Sequence, residues 1–224
     1  MKKALIIQGG WEGHEPAAIA QFLAAQLELE GFEVTVADTL DVLNAADSLS
    51  VYDLISPNWT MGQLTSGQSA NLLTAISGGT GLGGLHGGMG DAFRGDRKYE
   101  WMAGGHFVGH PYVGEYTVEV RDSAHPITRG LPDAFTYDSE QYYMMIDPGI
   151  TVLADTRYIH EGRTVTMPVI WTKQWGRGRV FYSALGHKAE ELARYPAVAE
   201  MTVRGLKWAA RTESAIVRER PGKA

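Results

Sequence analysis

The stretch Lys2–Ala37, KKALIIQGGWEGHEPAAIAQFLAAQLELEGFEVTVA, decides the predicted fold. Its short apolar run at residues 4–8 is typical of a strand that is buried on both faces of a parallel sheet. Pro16 suits the first turn of a helix, and apolar residues recur after it at helical spacing until Gly31 ends the pattern. Alternating apolar side chains at residues 32–36 then predict a second strand. The chain therefore opens with a β-α-β unit.

The alternation of strands and helices continues through the first hundred residues. A strand is predicted at 51–56, a helix after Ser66 and a glycine-rich strand at 81–86. Such alternation indicates an α/β fold, with an open, mostly parallel sheet that helices cover on both faces. The stretch 122–147 is punctuated by prolines and is expected to be rich in loops. Other apolar runs in the second half predict an antiparallel extension, with strands at 112–120, 151–154, 166–173 and 179–185 and a final helix at 196–211.

Composition narrows the class of protein. The chain has 224 residues and neither an internal repeat nor a linker, so we expect one domain at 1–211 and a polar tail at 212–224. The absence of cysteine excludes a disulfide scaffold, a thiolate zinc site and a cysteine nucleophile. The net charge of −6, without a basic cluster, argues against a nucleic-acid partner.

The hydropathy pattern bears on location and assembly. No apolar window reaches the length of a signal peptide or a membrane span, so we expect a soluble, cytoplasmic protein without a membrane partner. A twofold homodimer is the expected assembly, because it is the commonest closed arrangement of identical chains. No segment of the sequence identifies the interface of such a dimer.

Three groups of polar residues follow predicted parallel strands. Glu12 and His14 follow the first strand, His86 ends the glycine-rich strand and His187 follows the last one. Ligands of open parallel sheets bind beyond the carboxyl ends of the strands, so we expect these side chains to meet there. Gly87 follows His86 within the run GLHGG, which has the form of a nucleophile elbow with histidine at the nucleophile position. Imidazole there is a base or a metal ligand, the alternative being a tight turn whose histidine only bonds a neighbour.

Aromatic residues near an acid suggest a sugar site. Glu140 precedes Tyr142, and a carboxylate beside aromatic rings can bind the hydroxyls and the apolar face of a pyranose. An ordinary loop acid is the alternative. Trp11 and Trp59 follow the first and third strands on the predicted ligand side, where they could form pocket walls. The loop after the first strand lacks the G-x-G-x-x-G pattern, so no nucleotide cofactor is expected.

Histidines are numerous enough to form a metal site. Four of them, together with Glu140, are chemically suitable for Zn²⁺ or another divalent metal, whose identity stays open. His106 and His110 are spaced as two residues on one helix face, but the glycine and proline around them disfavour a helix. The candidate metal ligands are His14, His86, His106 and His187.

Five short motifs resemble those of the ThuA-like (trehalose utilisation) family. They occur in the order and spacing of that family, and the resemblance extends from Lys3 to about Ala210. Each motif is weak alone, whereas five in register are specific. The motifs are GLHGG at 84–88, GGHF at 104–107, HPITRGLP at 125–132, DSEQY at 138–142 and GRGRVFY at 176–182, which leads to Gly186-His187.

The resemblance implies a fold and a metabolic role. The fold of the family is similar to that of class I glutamine amidotransferases, a doubly wound, flavodoxin-like sheet. His86 would then stand where those enzymes carry their cysteine, and His187 where they carry their histidine. Because the chain has no cysteine, glutamine hydrolysis through a thioester is excluded. The family is associated with the metabolism of trehalose and related disaccharides, and the resemblance makes Glu140 a site residue.

Two classes of function remain open, with a third that is weaker. The first is a hydrolase- or lyase-type enzyme acting on a disaccharide, glycoside or oxidised (keto) sugar derivative, with or without a metal. In it His86 or His187 is the base, and Glu140 is the acid or an orienting group. The second is a non-catalytic sugar-binding or regulatory module on an amidotransferase-like scaffold, and the third a metal-dependent hydrolase of another small molecule. The predicted substrate-binding residues are Trp11, Glu12, His14, Trp59, Gly87, His106 and Tyr142.

Overall fold

The computed structural model describes residues 1–212. Within them, nine β-strands form a single mixed sheet with helices packed against it. The strands are β1 (Lys2–Gly10), β2 (Phe32–Ala37), β3 (Leu54–Thr60), β4 (Gly81–Leu85), β5 (Gly105–Val120), β6 (Ala134–Ile146), β7 (Thr151–His160), β8 (Arg163–Trp175) and β9 (Gly178–Ser183). The α-helices are α1 (Pro16–Leu29), α2 (Ala46–Leu49), α3 (Ser66–Ser77), α4 (His86–Gly90), α5 (Arg97–Ala103), α6 (Ala189–Arg194) and α7 (Pro196–Ala209).

The sheet has a parallel half and an antiparallel half. Its strand order is β2-β1-β3-β4-β9-β8-β7-β5-β6. The first five strands of this order run parallel to one another, and from β9 to β6 each strand pairs antiparallel with the next. Of the eight neighbouring pairs in the described part of the chain, four are parallel and four antiparallel. The predicted α/β class is confirmed, whereas the prediction of a mostly parallel sheet is wrong.

The antiparallel half is larger than predicted because β5 and β6 are long. β5 begins at Gly105, before the predicted start at Tyr112, and β6 lies inside the stretch that was expected to be rich in loops. The two strands pair with each other from Gly105 with Ile146 to Glu119 with Ala134. Pairing between the two segments makes them strands. The side-chain periodicity of either segment alone does not reveal that pairing.

Local sequence signals explain the parallel half. Residues Ala4–Ile7 of β1 are buried completely, in keeping with a central strand whose two neighbours both run parallel to it. Pro16 occupies the first turn of α1, and Thr65 caps α3 through a reciprocal capping box with Gln68. The predicted β-α-β opening is therefore confirmed.

The carboxyl ends of the parallel strands carry the residues of interest. β1 leads into a 3₁₀ turn at Glu12–His14, β4 into α4 at His86, and β9 into the turn that contains His187. The predicted polar tail lies outside the described residues except for Thr212. Among the described residues, no helix has the length and apolar character needed to cross a membrane. The predicted homodimer stays a prediction.

Helix α7 packs so closely on β9 that one glycine is required between them. A Cβ on Gly205 would lie 2.2 Å from ring carbons of Phe181. We expect Gly205→Ala to lower the free energy of unfolding by about 1–3 kcal/mol, because a packed core resists added atoms. Urea denaturation measures this change.

Gly67→Ala is the matched control for this substitution. In α3 an added Cβ at Gly67 meets only Thr65 Oγ1, at 3.9 Å. The free energy of unfolding of Gly67→Ala is expected to equal that of the wild type or to exceed it by up to about 1 kcal/mol, since alanine favours helix more than glycine does. Equal destabilisation of the two variants would contradict the close packing of α7.

Candidate active site

Four potential metal ligands converge beyond the carboxyl ends of the parallel strands. One ligand atom from each of His14, His86, Glu140 and His187 lies within 4.8 Å of every other. Three of the side chains are buried, and that of His187 is half-buried. They come from four separate segments, and Glu140 reaches the group from β6 in the antiparallel half. We call these four residues the His/Glu cluster.

His86 sits in a strained turn that fixes both of its ring nitrogens. Its φ angle is +44°, in the left-handed region that non-glycine residues seldom adopt. The hydroxyl of Tyr182 donates to the backbone carbonyl of His86 at 3.1 Å. The ring atom Nδ1 lies 2.9 Å from the carbonyl oxygen of Ala184, which can only accept, so Nδ1 carries a hydrogen and donates it.

The second ring nitrogen of His86 faces a carboxylate. Its Nε2 atom lies 3.2 Å from Glu140 Oε2. A neutral imidazole whose hydrogen is on Nδ1 presents a lone pair at Nε2, and a carboxylate oxygen also presents lone pairs. A proton or a cation must therefore lie between these two atoms to make the contact favourable.

His14 reaches the cluster because Gly87 has no side chain. A Cβ on Gly87 would lie 2.3 Å from His14 Cε1. The ring centroid of His14 is 4.8 Å from that of His86 and 5.2 Å from that of His187. Its Nδ1 atom is 2.8 Å from Thr60 Oγ1, and this contact fixes the ring. Gly87, predicted to bind substrate, thus provides the space in which two histidines meet.

Burial and mutual repulsion set the protonation of the cluster. Burial, together with the neighbouring His86 and His187, lowers the pKa of His14 to about 3. Burial and His86 also lower the pKa of His187, although Glu140 and Glu191 partly oppose this. Burial alone would raise the pKa of Glu140, but the hydrogen bond with His86 and the surrounding histidines outweigh it and lower the pKa to about 2. At neutral pH the cluster therefore offers neutral imidazoles at 14 and 187 and an ionised carboxylate, the forms that bind metals.

Aromatic rings border the cluster on two sides. The ring of Tyr142 lies on that of His86 with centroids 4.0 Å apart, and Phe107 lies 4.5 Å from Tyr142. Trp11 lies 4.7 Å from His14 and is 48% exposed. An exposed indole beside a polar cluster can cover the apolar face of a sugar ring.

The other predicted site residues lie farther from the cluster or serve packing. Glu12 is exposed in the 3₁₀ turn. Trp59 is half-buried and packs on Gly9, where an added Cβ would meet its ring at 2.6 Å. His106 lies outside the His/Glu cluster of the described residues, because its ring faces Glu100 with Nδ1 3.6 Å from Oε2, and its role in substrate binding stays a prediction. It lies at the start of β5, opposite Met145, which is five residues beyond Glu140 in β6.

His110 approaches the cluster where His106 does not. Its Nε2 atom lies 3.6 Å from Glu140 Oε1, and the side chain is 42% exposed. The pairing of β5 with β6 is irregular between Gly109 and Tyr112, and such a bulge redirects side chains. The glycine and proline beside His110 were the available signal, since they exclude a regular helix and favour a bulge.

Glu191 is the second residue that the sequence did not reveal. It is a buried carboxylate on α6, and it accepts hydrogen bonds from Tyr137, Ser139 and the backbone N–H of His187. Its only sequence signal is its spacing of four residues from His187.

Comparisons with known proteins agree with the fold. A family model described as ThuA, trehalose utilisation, matches residues 3–209. The structure is similar to that of a ThuA-like protein from Bacteroides uniformis, with a TM-score of 0.77 and 21% identity over 93% of this chain and 91% of that one. A ThuA-like protein from Parabacteroides merdae has a TM-score of 0.75 and 20% identity, over 98% of this chain and 93% of that one. A cytoplasmic protein from Salmonella typhimurium has a TM-score of 0.67 and 13% identity, over 95% of this chain and 100% of that one. No curated protein sequence matches the chain significantly.

The low pKa of His14 predicts a pH dependence of stability in the metal-free protein. A histidine in the unfolded chain gains a proton near pH 6.5, whereas folded His14, with a pKa of about 3, stays neutral. The unfolded state then binds more protons, so the contribution of His14 to the free energy of unfolding falls as pH drops from about 6.5 toward 3. The contribution of Glu140, whose pKa is lowered from 4.5 to about 2, is lost only below that ordinary value.

Urea denaturation at pH 7 and pH 5 measures this effect, and His14→Asn should reduce the difference between the two values. Nuclear magnetic resonance of the His14 ring gives an independent check, with the urea-unfolded protein as the reference. A His14 signal that titrates near 6.5 in the folded protein would contradict the prediction.

Proposed function

The chain belongs to the ThuA family, described as trehalose utilisation, and we propose that it is a metal-assisted enzyme of sugar metabolism. Its substrate is a disaccharide, a glycoside or an oxidised (keto) sugar derivative. The observation that carries the proposal is the His/Glu cluster, whose four ligand atoms lie within 4.8 Å of one another beyond the ends of the strands.

The donor set fits a divalent metal. Three imidazole nitrogens and one carboxylate oxygen are ligands that Zn²⁺ and related ions accept. The contact between His86 Nε2 and Glu140 Oε2, at 3.2 Å, requires a positive species between two lone-pair donors. His14 and His187 have lowered pKa values and are neutral at neutral pH, as metal ligands must be. When bound, a metal would supply a Lewis acid that polarises a carbonyl or hydroxyl oxygen of the sugar.

The surroundings of the cluster favour a sugar over other small molecules. Trp11 is exposed beside His14, so its ring is available for the apolar face of a pyranose, whereas Tyr142 is buried against His86 and supports that ring. His110 is exposed next to Glu140 and can donate a hydrogen bond to a sugar hydroxyl. Together with the ThuA family membership, these features support a substrate from trehalose or disaccharide metabolism.

The geometry divides the acid–base roles among the cluster residues. Glu140, with a pKa of about 2, is ionised at neutral pH, which favours an orienting or metal-binding role over that of a general acid. Both ring nitrogens of His86 are engaged, by Ala184 and Glu140. His187 is half-buried and its neutral form is favoured, so it serves as a metal ligand in the metal-bound protein and is the better candidate for a base where no metal occupies the cluster.

Whether the substrate is an ordinary glycoside or a keto sugar would decide between the hydrolase and the lyase reaction. A hydrolase adds water across the glycosidic bond. In a keto sugar, the hydrogen on the carbon beside the carbonyl is acidic, so a base can remove it while the glycosidic oxygen leaves with the bonding electrons. The second route forms an unsaturated product and consumes no water, which product analysis by mass spectrometry distinguishes.

Metal content and turnover test the proposal together. We expect about one divalent metal ion per chain after reconstitution with Zn²⁺, Mn²⁺ or Co²⁺, measured by elemental analysis. The metal-loaded protein should turn over trehalose or its keto derivative. His86→Ala, Glu140→Gln and His187→Ala should each lower metal content and kcat/KM by about 100-fold or more, since even partners of metal ligands are worth 10–100-fold.

His160→Ala is the matched control, because His160 is an exposed histidine of β7 outside the cluster, and its metal content and activity should equal those of the wild type. Tight binding of these sugars without any turnover would contradict the proposal and favour a sugar-binding or regulatory module. Full activity in all three cluster variants would also contradict it.

A further inference from the structure

Glu191 is a buried carboxylate that is stabilised by three hydrogen-bond donors. Only 9% of the residue is exposed. It accepts hydrogen bonds from the hydroxyl of Tyr137, from the hydroxyl of Ser139 at 2.9 Å and from the backbone N–H of His187 at 3.0 Å. Burying a carboxylate is costly unless such donors surround it, so this arrangement defines one position for Glu191.

The donors belong to the two segments that carry His187 and Glu140. Tyr137 and Ser139 lie on β6 just before Glu140, while His187 lies in the turn between β9 and α6. The hydroxyl of Tyr137 also accepts the N–H of Gly186 at 2.9 Å. One carboxylate and one hydroxyl therefore hold the turn of His187 against the strand of Glu140.

The distances around the ring of His187 show the consequence. Its Nδ1 atom lies 3.8 Å from Glu140 Oε1 and 4.0 Å from Glu191 Oε1. The two carboxylates thus face the same ring nitrogen from β6 and from α6. Both distances exceed that of a hydrogen bond, but two carboxylates on one side of the ring favour the orientation in which Nδ1 faces them.

We propose that Glu191 is a positioning residue that holds His187 in place within the His/Glu cluster. The proposal rests on the proposed function, because it assigns to Glu191 a role in building the metal site. Glu191 acts through His187, whose turn it ties to β6 by hydrogen bonds. Together with Tyr137, it joins the turn after β9 to β6.

The metal-free protein gives the first test. In Glu191→Gln the ring signals of His187 should shift more than those of His14 and His86, as observed by nuclear magnetic resonance of the histidine rings. The His187 signals are assigned from their loss in His187→Ala. Glu190→Gln is the matched control, because Glu190 is the exposed neighbour on α6 and the change in charge is the same. It should leave the His187 signals unchanged.

Zn²⁺ binding gives the second test. Glu191→Gln should weaken the binding measured by calorimetry by about 10–100-fold, the usual effect of removing a partner of a metal-binding histidine. Glu190→Gln should have no effect. In a His187→Ala background, Glu191→Gln should cause no further loss, because its effect passes through His187. Equal losses in both backgrounds would mean a general structural role and would overturn the proposal.

The outcomes separate this proposal from the proposed function. Failure of the wild type to bind any divalent metal contradicts metal assistance, whereas the ring signals of His187 still test the positioning role. Unchanged His187 signals and unchanged Zn²⁺ affinity in Glu191→Gln overturn the positioning role alone. If Glu191→Gln does not fold, Tyr137→Phe removes the hydroxyl that donates to Glu191 and accepts the N–H of Gly186, and it should change the same signals in the same direction.

Discussion

The contact between His86 Nε2 and Glu140 Oε2, at 3.2 Å, joins the two halves of the sheet at the candidate site. His86 ends the parallel strand β4, and Glu140 lies on β6, the edge strand of the antiparallel half. The backbone of His86 is held in a left-handed conformation, and the hydroxyl of Tyr182 binds its carbonyl. Strain of this kind persists only where the surrounding structure enforces it, and such positions cluster at functional sites. The fixed position of His86 therefore determines where the other residues of the cluster meet it.

Glycine makes this arrangement possible by allowing close approach. Gly87 leaves room for His14, and Gly90 leaves room for Tyr182, whose oxygen would lie 2.2 Å from an added Cβ. Three imidazoles and a carboxylate can share one small space only if the turn that carries His86 has no bulky neighbours. The glycines after β4 therefore bring side chains together, and their backbone conformation is secondary to this role.

The convergence of the histidines could be predicted from the sequence because they follow parallel strands. That reason does not extend to the residues of the antiparallel half. His14, His86 and His187 each follow a parallel strand, and the carboxyl ends of parallel strands share one edge of the sheet. Glu140 was identified by resemblance to a family and by its aromatic neighbours, since no local pattern predicts how an antiparallel strand reaches the same edge. His106 lies outside the cluster and His110 was missed, because a β-bulge set by pairing with β6 determines which histidine of β5 approaches Glu140.

The engagement of both nitrogens of His86 bears on the chemistry that this scaffold can support. A nucleophile at the position of His86 would need a free lone pair directed at the substrate. Here Nδ1 donates to the carbonyl of Ala184, and Nε2 is directed at Glu140. The turn therefore directs the imidazole into the cluster, where its lone pair can serve a cation. His14 and His187 bring two further imidazoles to the same edge, and this donor set is the reason that we propose metal assistance for this site.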